Sequence, residues 1–187
     1  RDGVEVGRYL TTRLGKRKVI LMGGTWGSAL AVHMVKAQPD LFHAYVGTSQ
    51  LVRESDNLKA SYDGVLMRAR AAADQDTVGK LEALGPPPWT NPRGFGMLRR
   101  AARKYEALET DPAPSEWWRP AAGYDLPAYE PDYKAGEEYS YLQFVGLAGD
   151  GIASRLDLYE LGPGFAIPVF LLQGEQDLVT TPEVAKV

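Results

Sequence analysis

The sequence predicts an α/β protein that has parallel strands and a mostly helical insertion. In residues 1–50, two helical patterns alternate with two β-type runs, which is typical of doubly wound parallel sheets. The alternation stops at Gln50, and a third β-type run returns only at Ile167–Gln173. We therefore divide the chain into a first core segment (1–50), a helical insertion (51–159) and a returning core segment (160–187).

The first helix is predicted over Asp2–Leu14, where Val6, Leu10 and Leu14 recur at helical spacing. Gly15 follows, at the position where a left-handed glycine commonly ends a helix. The first strand begins after it, at Lys18–Met22. This run is apolar after its lysine and contains β-branched residues, so we expect a strand that is buried on both faces.

A glycine turn, Gly23-Gly24-Thr25-Trp26-Gly27, joins that strand to a helix predicted over Ser28–Gln38. A strand, a tight turn and a buried helix form the pattern of a nucleophile elbow, G-x-S-x-G, here with threonine in place of serine. Other glycine motifs do not fit, since Gly27 stands where a phosphate loop needs lysine and the spacing is not G-x-G-x-x-G. The alternative is a plain turn whose small residues allow close packing.

The remaining elements follow from composition. A second strand is predicted over Ala44–Thr48, and a closing helix begins near Thr181-Pro182. Thr110–Gly136 is rich in proline and is expected to be irregular. Its aromatic side chains either pack a mostly helical subdomain or line the wall of a pocket beneath a lid. Helices are predicted in the insertion over Asn57–Ala73, Thr77–Leu84 and Phe95–Leu108.

Composition narrows the function classes. The 187 residues include 21 basic and 24 acidic side chains, giving a net charge of −3. No basic stripe indicates nucleic acid binding and no long apolar run indicates a membrane span. The sequence contains no cysteine, which excludes disulfides and thiolate metal sites and fits a cytoplasmic protein. We expect no metal and no cofactor.

With these motifs in place, the chain resembles the α/β-hydrolase fold family, and within it the proline iminopeptidase-like hydrolases. Three patches carry the resemblance: the elbow Gly23–Ser28, the segment Gln38–Phe42 that follows its helix, and Leu172–Asp177 near the end. The resemblance implies a partial α/β-hydrolase fold, with parallel strands and a mostly helical inserted lid.

The resemblance also assigns roles to particular residues. Thr25 occupies the nucleophile position, and the backbone N–H of Trp26 would be one donor of the oxyanion hole. Asp177 matches the acid that orients the catalytic histidine. Glu175 is a weaker match to the same pattern, and a turn or capping role is the alternative for Asp177.

Three departures from the family pattern stand out. The histidine should follow the acid, yet the chain's two histidines are His33 and His43, and neither is expected to reach Thr25. The strands that normally precede the elbow strand are absent, with the loop that completes the oxyanion hole. The simplest interpretation is an internal portion of a longer protein, although a partner chain could supply the remainder. Thr25 itself is a poorer nucleophile than serine because its methyl group crowds the strained turn.

Two functions remain open. In the first, the protein hydrolyses small amide or ester substrates, including short peptides, by a nucleophile–His–Asp mechanism. Acidic side chains at Glu130, Asp132, Glu137 and Glu138 could then hold a substrate ammonium, or could simply be solvated surface charge. In the second, the protein is a non-catalytic binding protein of the same fold that has lost its triad. The sequence does not indicate an oligomeric state.

Overall fold

The structure is a computed structural model that describes residues 1–111 and 113–185. It divides into two compact units. The first contains Arg1–Gly64 and the chain from Leu156 onward, and the second contains Val65–Arg155. The division therefore falls within the helix that follows the second strand.

The first unit is built on a parallel sheet of three strands in the order β1 (Val19–Thr25), β2 (Phe42–Gln50) and β3 (Val169–Leu172). In its register Met22 lies opposite Val46, and Thr48 lies opposite Leu172. Because all three strands are parallel, their carboxyl ends meet at one edge of the sheet. The predicted parallel α/β architecture is confirmed.

The helices of this unit are α1 (Asp2–Leu14), α2 (Trp26–Ala37) and the short α7 (Pro182–Ala185). α1 ends as predicted, at Gly15 with a left-handed φ of 62°. α2 packs one face into the core through Ala31, Val32 and Val35, against Phe42 and Tyr45. The predicted burial of this helix holds for one face only, since Leu30 is 48% exposed on its outer side.

The prediction that β1 is buried on both faces is wrong for one of its faces. Among the described residues β1 pairs with β2 alone. Ile20 and Met22 on this strand are each 66% exposed. Strands of this composition normally have other elements packed against both faces. Ile20 and Met22 have the same apolar composition but are exposed to solvent.

The chain between β2 and β3 is mostly helical, as predicted. α3 (Glu54–Ala71) leads from the first unit into the second, which contains α4 (Gln75–Leu84), α5 (Pro92–Glu109) and α6 (Glu130–Val145). Short 3₁₀ helices lie at Ser115–Trp118, Pro127–Tyr129, Ile152–Arg155 and, in the first unit, at Pro39–Leu41 and Leu158–Leu161.

The proline-rich stretch differs from the prediction in two respects. α6 begins at Glu130, inside the segment expected to be irregular, because Pro131 falls in its first turn, where the missing N–H is not needed. The aromatic side chains expected to pack this subdomain are instead largely exposed, with Trp117 at 74% and Trp118 at 77%. Trp89 is half-buried, and its Nε1 donates to the carbonyl of Gly85 at 2.9 Å.

Within residues 1–111 and 113–185, no helix combines the length and the apolar character that crossing a membrane requires. In the same ranges, no three His, Asp or Glu side chains are grouped so that they could hold a metal ion.

Candidate active site

The junction between β1 and α2 is the first component of the site. β1 ends at Thr25 and α2 begins at the next residue, Trp26. Thr25 has φ 46° and ψ −119°, a strained conformation that is rare for a β-branched residue. Its side chain is exposed and makes no capping hydrogen bond to the helix. The turn therefore presents a hydroxyl at the carboxyl edge of the sheet, beside the first turn of a helix.

Gly23 allows α2 to approach β1 closely, and Gly24 allows the side chain of Thr48 on β2 to approach β1. A Cβ on Gly23 would lie 2.4 Å from the carbonyl oxygen of Gly27 and 2.9 Å from the Cβ of Ala31. A Cβ on Gly24 would lie 2.7 Å from Thr48 Oγ1. Close packing, the alternative explanation of the motif, thus applies at these two positions. It does not apply at Gly27, where an added Cβ would have no described atom within 4 Å apart from its chain neighbours and the backbone of its own helix.

Ser28 ties the junction to the neighbouring strand. Its hydroxyl donates to the carbonyl oxygen of Thr25 at 2.5 Å and accepts from the N–H of Leu51 at 2.9 Å. The side chain is fully buried. No local sequence pattern indicates this role of Ser28, because its partner Leu51 is 23 residues further along the chain. The two bonds fix the strained turn against the chain that leaves β2.

A bulge at the end of β2 determines which residue faces Thr25. Gly24 lies opposite Thr48 but Thr25 lies opposite Gln50, so Ser49, with φ 47°, is the extra residue. Bulges of this kind redirect the side chains that follow them. Gln50 is consequently buried: its Oε1 accepts from Tyr45 Oη at 2.6 Å and its Nε2 donates to the Leu51 carbonyl at 2.8 Å.

Tyr45 lies beneath this amide and stays a neutral hydrogen-bond donor. It is fully buried, and the carbonyl oxygen of Ser28 lies 3.1 Å from its hydroxyl. Burial raises the pKa of Tyr45 to about 12, an effect that the side-chain hydroxyl of Ser28 partly offsets. At neutral pH the phenol therefore keeps its proton and fixes the orientation of the Gln50 amide.

Asp177 lies in the loop after β3, at the same sheet edge as Thr25. Its Oδ1 accepts from the N–H groups of Val179 at 3.0 Å and Thr180 at 2.6 Å. Its Oδ2 lies 3.3 Å from Gln173 Nε2, which donates to it. Oδ1 of the carboxylate thus closes the turn, which is the structural role given above as the alternative for Asp177. Its other oxygen, Oδ2, faces Gln173. Glu175 is exposed in the same loop.

The two histidines lie away from this edge. His33 is exposed on α2, and its Cα is displaced from that of Thr25 by roughly 12 Å along the helix axis at 1.5 Å per residue. His43 stands near the amino end of β2, where it lines a cavity of about 440 Å³ with Arg17, Lys18 and Asp40. Neither is placed to take a proton from Thr25.

Trp26, the predicted oxyanion donor, directly follows Thr25 at the start of α2. Trp26 is the first residue of α2, so its N–H lies at the amino-terminal end of the helix. The partial positive charge of a helix N-terminus also favours a developing negative charge. Its indole is 39% exposed.

The first unit also contains an apolar cavity of about 310 Å³. Its walls include Val32, Val52 and Leu171, and the polar side chains of Tyr45 and Gln50 reach it. Neither Thr25 nor Asp177 is among the residues that line it.

Comparisons with known proteins agree on the fold. No family model matches the sequence. Over 89 residues the chain is 32% identical to the protein named Probable aminopeptidase YbaC of Bacillus subtilis (strain 168), a match that covers 48% of this chain and 28% of that protein. The crystal structure of proline iminopeptidase from Mycobacterium smegmatis is similar with a TM-score of 0.57 and 17% identity, over 97% of this chain and 56% of that one. The crystal structure of VinJ is similar with a TM-score of 0.59 and 18% identity, over 98% of this chain and 58% of that one.

The chain therefore has the α/β-hydrolase fold, in the partial form that the sequence predicted. The relatives that share this fold include a proline iminopeptidase. This agrees with the resemblance carried by the elbow Gly23–Ser28 and by the segment Leu172–Asp177. The chain matches little more than half the length of those two structures.

Proposed function

We propose that the whole protein is a hydrolase of small amide or ester substrates, short peptides among them, that acts through a covalent acyl-enzyme. The observation that carries the proposal is the strained backbone of Thr25, φ 46° and ψ −119°, at a strand–helix junction on the same sheet edge as Asp177. A nucleophile at such a turn projects above the sheet, where a carbonyl carbon can approach it.

In the proposed mechanism the Thr25 hydroxyl attacks the substrate carbonyl and passes its proton to a histidine base. That histidine is not among these 187 residues and comes from elsewhere in the protein or from a partner chain. Asp177 orients it, and the N–H of Trp26 donates to the oxyanion. The histidine then protonates the leaving amine or alcohol, and water hydrolyses the ester formed on Thr25.

The relatives support a substrate class without fixing it. One carries the name of an aminopeptidase and another that of a proline iminopeptidase. A peptide with a free amino terminus is the substrate that we infer from these names. The acidic side chains considered for its ammonium are exposed on α6, and Glu130 pairs with Lys134 at 2.7 Å. This exposure favours solvated surface charge.

A second candidate function rests on Thr25 itself. A β-branched nucleophile is restricted in its rotamers and crowds the attacked carbonyl, and both histidines of the chain are remote from it. A non-catalytic binding protein of this fold would tolerate both features.

The proposal is tested by single-turnover kinetics on the full-length protein with an activated ester. We expect Thr25→Ser to accelerate acylation, because the methyl group is removed while the hydroxyl is kept. Thr25→Ala removes the nucleophile and should abolish acyl-enzyme formation, leaving only residual catalysis from binding and oxyanion donors.

Thr12→Ala, at an exposed position on α1, is the matched control and should behave as wild type. Equal rates for threonine and alanine at position 25, with serine no faster, would show that Thr25 is a turn residue. That result would favour the binding protein.

A further inference from the structure

The side-chain amide of Gln173 forms a hydrogen bond with β2 just beyond the end of the backbone ladder between β2 and β3. The backbone pairing of these strands runs from Tyr45 opposite Val169 to Thr48 opposite Leu172. Beyond it, the N–H of Gln50 donates to the side-chain Oε1 of Gln173 at 2.9 Å. The side chain of the first residue after β3 thus satisfies a backbone donor that the ladder no longer reaches.

The nitrogen of the same amide binds the loop that contains Asp177. Gln173 Nε2 donates to the carbonyl oxygen of Thr180 at 2.6 Å and to Asp177 Oδ2 at 3.3 Å. A primary amide has two N–H donors and one carbonyl oxygen, so all of its hydrogen-bonding groups are engaged. One half-buried side chain therefore connects the end of β2 with both sides of the turn that carries Asp177.

The end of β2 is in turn fixed to Thr25. Gln50 lies opposite Thr25 in the register, and Ser28 bridges the Thr25 carbonyl and the Leu51 N–H. The path from Thr25 to Asp177 consists of these hydrogen bonds and of the backbone that joins Gln50 to Leu51. The relative position of the two side chains is consequently set through Gln50 and Gln173.

A separate anchor holds the far side of the loop. Asn57 on α3 donates to the carbonyl of Val179 at 3.0 Å and accepts from the N–H of Thr181 at 2.9 Å. Loss of the Gln173 amide should therefore leave the loop attached while the Asp177 carboxylate loses its side-chain donor.

We propose that Gln173 is a positioning residue, which aims the Asp177 carboxylate by linking it to the end of β2. The catalytic consequence of this inference rests on the proposed function. The hydrogen bonds of Gln173 are independent of that function and can be tested without it. Displacement of a catalytic group by about 1 Å can cost about a hundredfold in rate.

Two variants of the full-length protein separate the roles of the amide. Gln173→Met keeps the length of the side chain and removes both its donor and its acceptor. Gln173→Glu keeps an acceptor for the Gln50 N–H but places an oxygen against Asp177 Oδ2. Gln75→Glu makes the same chemical change at an exposed position on α4 and is the control.

The first readout is amide hydrogen exchange, which requires no activity. The N–H groups of Val179 and Thr180 donate to Asp177 Oδ1. We expect both to exchange at least several-fold faster in Gln173→Met and Gln173→Glu than in wild type or Gln75→Glu. Unchanged exchange at these amides in Gln173→Met would overturn the inference.

The second readout is turnover of the activated ester. We expect kcat to fall about a hundredfold in Gln173→Glu with a smaller change in KM. The ratio of variant to wild-type kcat should rise as pH is lowered, because the introduced carboxyl gains a proton and can again donate to Asp177. A purely structural role would not produce this pH dependence.

The failures of the two proposals are distinguishable. If Asp177→Asn is impaired while Gln173→Glu matches Gln75→Glu in kcat and in pH dependence, the positioning role is wrong. If Thr25→Ala is as active as wild type, the proposed hydrolase mechanism is wrong, and the catalytic part of this inference fails with it. The exchange rates still show whether the amide holds the loop.

Discussion

At the scale of single residues, Thr25 has a strained backbone conformation that its neighbours must stabilise. A non-glycine residue in such a conformation costs on the order of 1–3 kcal/mol and persists only where the surroundings enforce it. Here the enforcement comes from Ser28, which bonds to its carbonyl, and from Gly23, which lets α2 approach β1. Strain that is maintained in this way is common at functional sites, which is why the turn is a candidate site.

The two glycines of the turn should respond differently to alanine. A methyl group on Gly23 would collide with backbone atoms of Gly27, which cannot move without shifting α2. We expect Gly23→Ala to lower the free energy of unfolding by about 3 kcal/mol or more, as overpacking does. Urea denaturation of the purified variant measures this loss.

Gly27→Ala is the matched comparison in the same turn. Apart from its chain neighbours and the backbone of its own helix, no described atom lies within 4 Å of the added methyl group, and position 27 is helical. Alanine should therefore be neutral or stabilising by up to about 1 kcal/mol. Equal destabilisation by the two substitutions would contradict the steric explanation of Gly23.

At the scale of the elements, Asp74 joins two helices of the second unit. Its carboxylate caps α4 by accepting from the N–H and the hydroxyl of Thr77, at 3.2 Å and 2.6 Å. It also accepts from Lys104 Nζ at 2.5 Å and from Tyr105 Oη at 2.7 Å, both on α5. The Lys104 ammonium first, and then the hydroxyls of Thr77 and Tyr105, hold the pKa of Asp74 well below its ordinary value of 3.8.

This lowered pKa makes the stability of the second unit depend on pH. The folded state favours the ionised carboxylate, so its contribution is present above pH 3.8 and is lost as pH falls from 3.8 through the lower folded pKa. We expect Asp74→Asn to lower the urea midpoint at neutral pH and to reduce the dependence of that midpoint on acid pH.

Asp125→Asn, at an exposed carboxylate, serves as the control. Its acid dependence should follow that of wild type. If Asp74→Asn and wild type lost stability in parallel between pH 5 and pH 2, the hydrogen bonds of Asp74 would not favour its ionised form.

At the scale of the whole molecule, a pair of side chains marks where the chain leaves the sheet unit and returns to it. Arg53 and Asp157 form an antiparallel bridge, and Arg53 Nε and Nη2 both lie 2.8 Å from Asp157 Oδ2. The guanidinium lies 4.3 Å from the ring centre of Tyr159. The backbone adds two bonds: Leu158 N–H donates to Val52 at 2.9 Å and Glu54 N–H to Leu156 at 3.3 Å. Residues more than a hundred positions apart are thus held side by side.

We expect the Arg53–Asp157 pair to contribute measurably to the stability of the chain. A double-mutant cycle with Arg53→Met and Asp157→Asn, followed by urea denaturation, should give a favourable coupling free energy. The side chains are only 36% and 28% exposed, so salt should screen their interaction weakly.

The exposed pair Arg1–Glu5, at 89% and 59%, is the comparison within the same chain. Its coupling should be close to zero at physiological salt, as is usual for surface pairs. A coupling for Arg53–Asp157 no larger than that of Arg1–Glu5 would mean that the backbone bonds alone hold the two segments together.

The sequence by itself determined the local elements and the motif. α1 with its Gly15 cap, the apolar strands and the glycine turn all depend on residues that are close along the chain, so their periodicity and turn chemistry reveal them. The same local logic misjudged Glu130–Val145, because a proline in a first helical turn reads like a proline that breaks a helix. It placed Thr25 and Asp177 at strand ends, and parallel strands bring such ends together.

Only the tertiary structure decided which side chains hold Thr25 and Asp177 in position. Ser28 bonds to Leu51, Gln173 to Gln50 and Asn57 to Val179, and each bond joins distant parts of the chain. The partner of a buried donor depends on the register of the sheet and on one bulged residue, Ser49, which no local pattern encodes. Exposure was decided in the same way: aromatic residues such as Trp117 read as packing residues, yet a side chain is buried only where another element lies against it.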